Sequence, residues 1–200
     1  VLGDTIAAAL SKALPDRGIA GSGPHHLVIF AGPDPRRGDY FVNYETVAGG
    51  MGARATRDGM DGVRVHASGA ANLPIEALEH AYPLRLERYA VREGSGGDGR
   101  YRGGNGVVRD YRVLADGVQV SLSSERQNVP APGLAGGAAG QTGAFVLSPG
   151  GGDEQVLGAA AADVALGVGD VLSIRTPGSG GYGRAPAMPE RAAASADKEA

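Results

Sequence analysis

Leu2, Ile6, Leu10 and Leu14 recur every fourth residue while Asp4, Ser11 and Lys12 fall elsewhere, which predicts an amphipathic helix over residues 3–14 ended by Pro15. Its apolar stripe needs a partner. HLVIFAG (26–32) is a short apolar run bounded by Gly and Pro and reads as a buried strand. DYFVNYETV (39–47) reads as a second, joined to it through the hairpin-like GPDPRRGD. Residues 48–69 are rich in Gly, Asp and Arg without a sustained period, as in a structured loop of functional type.

Pro74 sits where a short helix starts, with Asn72 close enough to cap it. Ile75, Leu78 and Tyr82 fall to one side of that helix and Glu76, Glu79 and His80 to the other, until Pro83. LRLERYAVR (84–92) is strand-like, with a phase slip between Leu86 and Tyr89 that suggests a bulge. Val107, Tyr111 and Val113 share one parity, as do Val118, Val120 and Leu122 beyond Ala115-Asp116-Gly117, a pattern that predicts a hairpin. GAFVLS (143–148), EQVLG (154–158) and VLSIRT (171–176) read as short strands between glycine-rich turns. Residues 184–200 read as a flexible tail. The fold expected is α+β and strand-dominated. Its sheet is mainly antiparallel in the C-terminal half, with two or three helices nearer the N-terminus.

Composition narrows the chemistry. The 35 glycines among 200 residues mostly neighbour Asp, Glu, Arg or Asn, so they mark backbone that turns tightly or approaches something closely. A net charge of -3 with interspersed signs argues against a nucleic-acid or anionic-membrane partner. The absence of Cys removes disulfides, thiolate nucleophiles and Cys-ligated zinc, and fits a reducing cytoplasm. No run approaches the ~20 apolar residues of a membrane span, and the first residues do not form a signal peptide.

Two segments match GxGxxG, GSGGDG (94–99) and GSGGYG (178–183), but neither is followed by a helix that would present free N–H groups to a pyrophosphate. There is no GxxxxGK, since the only lysines are Lys12 and Lys198, and no GxSxG elbow. Glu76 and His80 stand four apart, as a shared cation or, more commonly, an exposed pair would have them. Asp58 and Asp61, flanked by glycines, are either paired carboxylates for acid/base work or caps of their own turns, and Arg54 and Arg57 are candidates to clamp an anion.

The run GGMGARATRDGMDG, the segment NLPIEALEHAYPLRLERY, then SGGDGRYRGGNGVVRDY and the closing GDVLSIRTPGSGGYG resemble, in this order, the hydantoinase B/oxoprolinase family. The resemblance extends to about Gly183 and implies the C-terminal portion of such a subunit (residues 1–183), with a larger N-terminal portion preceding it. It implies ATP-dependent hydrolysis of a cyclic amide in a hetero-oligomer. A hydantoinase A-like partner would use ATP and Mg, and a divalent metal would belong to the preceding portion, with no metal ligands on this chain. Two departures stand out. Where the family reads TNTxNTPxE this chain has Ser68 to Glu76, keeping Asn72, Pro74 and Glu76, and Ser179 replaces a usual glycine.

The site residues expected are Asp58, Asp61 and Glu76 as acid/base groups, with Arg54, Arg57 and Asn72 holding substrate. A noncatalytic interaction role, or part of a ketone carboxylase, are the alternatives that the same motifs allow.

Overall fold

Inward and outward positions alternate along several strands, and the strands build two antiparallel sheets. A computed structural model describes residues 2–66, 68–69 and 71–185. Its elements are α1 (Leu2–Ser11), β1 (His26–Asp34), β2 (Asp39–Val47), α2 (Ile75–Ala81), β3 (Leu84–Val91), β4 (Val107–Val113), β5 (Val118–Ser123), β6 (Ala144–Ser148), β7 (Gln155–Leu157), β8 (Ala160–Leu166) and β9 (Val171–Arg175). One sheet has the order β2-β1-β5-β8 and the other β3-β4-β9-β6-β7.

The inner faces of the sheets share one apolar cluster. Val28, Phe30, Val120 and Leu122 enter it from the first sheet, and Tyr111, Phe145, Leu172 and Ile174 from the second. The Phe30 and Tyr111 rings meet across it with centroids 5.1 Å apart. Each such side chain contributes about 1.5–3 kcal/mol by leaving water, so the sandwich is held by side chains.

The expected hairpin of β4 and β5 does not form: β4 pairs with β3 and β9, and β5 with β1 and β8. Both strands turn their apolar parity inward, but from opposite layers, so the Ala115–Gly117 turn carries the chain across the sandwich. The phase slip in β3 is a register shift between Leu86 and Arg88. Antiparallel pairing is not confined to the C-terminal half, since β1 and β2 pair from His26↔Val47 to Asp34↔Asp39.

Helix α1 is turned the opposite way from expectation. Leu2, Ile6, Leu10 and Leu14 are all more than half exposed, whereas Asp4 and Ser11 are buried. Asp4 decides this orientation, because its carboxylate accepts from Ser22 N (3.2 Å) and Arg126 Nη2 (3.4 Å) and lies 3.0 Å from His66 Nε2. Helix α2 seats Leu78 in the sandwich core. Its last carbonyls, of Glu79 and His80, accept from Arg36 Nη1 and Arg37 Nη2 of the β1–β2 turn at 3.0 and 3.1 Å. Asn72 does not cap this helix, whose N-cap is Pro74.

A second layer is packed mainly backbone against backbone. Segments around residues 20–23, 48–62, 95–106, 131–141 and 176–182 run together through backbone bonds such as Gly23 N to Gly50 O (2.9 Å), Gly50 N to Pro177 O (3.1 Å) and Gly104 N to Met51 O (2.9 Å). A Cβ on Gly50 would stand 2.0 Å from the Gly104 carbonyl oxygen, and one on Gly178 only 1.8 Å from that of Ser95, so only glycine allows these approaches. The two GxGxxG segments belong to this layer and pair with each other, Gly97 N donating to Ser179 O at 2.8 Å. Ser179 is fully buried there, its hydroxyl 2.5 Å from Met51 O and 2.9 Å from Gly104 O.

The tail expected over 184–200 lies, from residue 186 onward, outside the described residues. Among the described residues no helix is long and apolar enough to cross a membrane.

Candidate functional site

Strand β2 alternates Phe41, Asn43, Glu45 and Val47 inward. Glu45 is thereby placed inside the sandwich, where an unpaired carboxylate would be costly. Its Oε1 accepts from Arg109 Nη1 of β4 at 2.9 Å and its Oε2 from the Tyr111 hydroxyl at 2.8 Å. Both partners are fully buried. The Arg109 guanidinium also lies over the rings of Tyr89 (5.0 Å) and Tyr111 (5.2 Å). Burial pushes the Tyr111 phenol well above its ordinary value; Arg109 opposes the rise and the Glu45 carboxylate adds to it, so the phenol stays a donor.

The same carboxylate reaches the loop ahead of α2. Leu73 N donates to Glu45 Oε1 at 3.4 Å, and Asn72 Nδ2 lies 3.5 Å from Oε1 and donates to Thr46 O at 3.1 Å. Residues 71–74 thus form a wall fixed from behind. One side of it faces a depression of about 680 Å³ lined by Ala48, Val63, Arg64, Asn72, Leu73, Ile75, Glu76 and Tyr89. The other faces a hollow of about 360 Å³ that includes Asn43, Glu45 and Tyr82. The larger depression combines apolar surface with one carboxylate, one guanidinium and one amide, the mix that binds and orients a small polar molecule.

Of the residues expected from sequence, Asn72 and Glu76 meet at this depression. Asp58 and Asp61 do not line it. Asp58 Oδ1 accepts from Arg102 N (2.8 Å), and Asp61 Oδ1 from Asn105 N (2.7 Å) and Arg102 Nη1 (3.0 Å), which ties the 58–62 segment to the 102–105 segment of the glycine layer. Burial pushes the Asp61 carboxyl up, but the Asn105 amide and the Arg102 guanidinium outweigh it and hold it below the usual carboxylate value. The adjoining Gly62 reaches the depression. Arg54 and Arg57 close a turn, Arg54 N donating to Arg57 O at 3.0 Å, and neither lines the depression.

Sequence reasoning missed Glu45, Arg64, Tyr89, Arg109 and Tyr111. The available signal was Glu45 itself, an acidic residue at an inward position of an alternating strand, which demands a buried partner. His25 and His66 line one hollow together with Glu125, and neither His26 nor His80 lines it. His66 pairs with Asp4, and burial pushes His26, its ring tilted against that of Phe145 with centroids 4.8 Å apart, down to about 3. Among the described residues no three His, Asp or Glu side chains converge as a metal would require.

Known proteins place this chain in a family. 5-oxoprolinase 1 of Arabidopsis thaliana is 39% identical over 145 residues, which are 72% of this chain and 11% of that protein. The crystal structure of ATP-dependent caprolactamase from Pseudomonas jessenii matches with a TM-score of 0.69 and 23% identity, over 90% of this chain and 33% of that one. A nucleotide-free structure of acetone carboxylase, described as an ATP-dependent enzyme, matches with a TM-score of 0.66 and 20% identity, over 84% and 26% of the two chains. At these identities both structures speak to the fold alone. The chain spans 11% to 31% of the length of curated relatives. The model of the hydantoinase B/oxoprolinase family matches residues 1–185, and the chain belongs to that family.

Proposed function

We propose that this chain supplies one wall of the substrate site in a B-type subunit that hydrolyses a cyclic amide in an ATP-dependent reaction. The observation that carries the reading is the depression bearing Asn72 and Glu76, held from behind by the Glu45–Arg109–Tyr111 cluster. In this reading ATP and its Mg²⁺ belong to an A-type partner subunit, and a divalent metal to the rest of the B-type polypeptide. The described residues offer no converging ligand set for a metal.

A ring amide resists water because its nitrogen lone pair is shared with the carbonyl. Phosphorylation of the amide oxygen on the partner removes that protection and leaves an electrophilic carbon. Glu76 then serves as the acid/base group that moves a proton from the attacking water to the departing nitrogen; the C–N bond breaks to leave an acyl phosphate, and a second water hydrolyses it to the carboxylate and inorganic phosphate. Asn72, fixed through its Nδ2, orients the ring. Asp58 and Asp61 are positioning residues that hold the loop carrying Gly62 and Arg64.

Likeness in sequence to a 5-oxoprolinase favours hydrolysis over carboxylation. The test uses the complete, partner-bound enzyme, assayed for ATP-coupled ring opening with and without bicarbonate. Glu76→Gln is expected to lower turnover about 100-fold or more. Unchanged turnover in that variant and in Asp58→Ala and Asp61→Ala overturns the assignment, and dependence on bicarbonate turns it toward carboxylation.

A further inference from the structure

The two sheets end in the edge strands β2, β8, β3 and β7, and all but β2 are blunted. Strand β3 carries Arg85, Glu87 and Arg88 and shifts register between Leu86 and Arg88, β7 is three residues long, and β8 shifts register against β5 with Asp163 at φ 52°. Charge, shortness and bulging keep an edge from pairing. Strand β2 lacks all of these along residues 40–44. It runs nine residues in unbroken register with β1, without Pro or Lys, and its acidic residues are Asp39 at one end and the inward Glu45, already engaged by Arg109 and Tyr111.

The open side of β2 follows from its register. Pro33, opposite Tyr40, has no N–H to exchange with it, and the Thr46 carbonyl accepts from Arg64 Nη2 and Asn72 Nδ2. Tyr40, Val42, Tyr44 and Thr46 therefore direct their N–H and C=O groups away from β1. Arg64 and Asn72 close this row at Thr46, and among the described residues nothing outside the sheet bonds to the backbone of Tyr40, Val42 or Tyr44. The side chains of these three are 66%, 58% and 61% exposed on the outer face. Beside the row lies the hollow of about 360 Å³ bounded by Asn43, Leu73, Pro74 and Tyr82.

We propose that β2 is completed by an added strand, and that this strand comes from the portion of the B-type subunit that the chain does not contain. The chain spans 11% to 31% of the length of curated relatives, so most of each relative lies beyond the part matched. An extended segment of that remainder, paired with residues 40–44, takes up the open backbone groups and turns apolar side chains onto Tyr40, Val42 and Tyr44. Its other face lies toward the hollow and carries small or polar side chains. Main-chain bonds and apolar contact hold it, since the row offers no charge to pair with. A second copy of this chain fits less well: β2 paired antiparallel with itself about Val42 sets Tyr40 against Tyr44, but also Asp39 of each copy opposite Glu45 of the other, a like-charge pair.

The test is residue-resolved hydrogen exchange of the complete B-type subunit and of the 200-residue chain alone, read at Tyr40, Val42 and Tyr44. Phe41 and Asn43, whose amides face β1, are the internal reference. In the complete subunit the three amides are expected to be protected to within about tenfold of that reference, and in the chain alone to exchange about 100-fold or more faster than it. Val42→Pro removes a donor from the open side and none from the β1 ladder. It is expected to leave Phe41 and Asn43 protected and to lower protection at Tyr40 and Tyr44 of the complete subunit about tenfold. Val42→Lys, which sets a charge in the row, carries the same expectation if the proline variant does not fold. Free exchange at all three positions in the complete subunit overturns the proposal. Protection in the chain alone that rises with its concentration assigns the edge to a second copy and overturns it as well.

Discussion

The sandwich and the glycine layer are two interiors built on opposite principles. In the sandwich, space is filled by Phe30, Tyr111, Phe145, Leu172 and Ile174, and the backbones stand apart by the width of their side chains. In the glycine layer the backbones themselves touch, and amide-to-carbonyl bonds such as Gly180 N to Gly21 O (2.8 Å) take the place of apolar contact. The first interior tolerates changes in shape, since neighbouring side chains can move. The second has little that can give way, because what faces most of the missing Cβ positions is backbone, as at Gly50, Gly104 and Gly178. The candidate site lies where the two meet, with Tyr89 and the Glu45 cluster from the sandwich and Gly62 from the glycine-rich segments.

The sharpest way to break this contrast is Gly178→Ala, one added methyl that would sit 1.8 Å from the Ser95 carbonyl oxygen. A loss of about 4 kcal/mol or more in urea unfolding is expected, beyond the usual cost of overpacking. A loss below about 1 kcal/mol would show that the layer relaxes like an ordinary core.

Next in size, Glu45→Ala strands the fully buried Arg109 and is expected to cost about 3–5 kcal/mol. It also frees the 72–73 wall, so amide exchange at Leu73 should rise in step with the lost stability. Stability unchanged from wild type would remove Glu45 as the link between sandwich and site.

An effect that is absent at neutral pH and grows only in acid belongs to His26, which burial holds at about 3 against an ordinary 6.5. Its folded value is depressed, so the neutral ring contributes stability that is fully present above pH 6.5 and is lost as pH falls toward 3. The slope over that window reaches about 1.4 kcal/mol per pH unit. Unfolding titrations of His26→Leu should lack it, and an identical acid limb in the variant would refute the assignment.

Much of the sandwich was legible because its strands obey simple alternation. Strand β2 occupies the predicted 39–47, and the slip in β3 is where the apolar phase breaks. Parity says which side of a strand is buried and not which sheet owns it, and for that reason β4 and β5 read as a hairpin. Strand β8 escaped notice since Ala160, Ala161 and Ala162 carry little strand preference and Asp163 interrupts the alternation at φ 52°. In the site, Asn72 and Glu76 were visible as polar residues ahead of and within a short helix. Glu45 and Arg109 were hidden in strands that otherwise read as apolar, 64 positions apart, and only their shared burial joins them. The glycine layer was legible as glycine and illegible as packing, because most of its contacts run from backbone to backbone and carry no side-chain signature.

That layer also bears on how the chain folds. Its five segments lie as far apart in sequence as Gly21 and Gly180, and they are joined by bonds that exist only when the strands have set their ends in place. Glycine gives up more freedom on ordering than any other residue, and closing loops of this length adds further entropy. The layer is therefore the late step of a slow search, and its amides should gain protection from exchange after those of β4 and β9 during refolding.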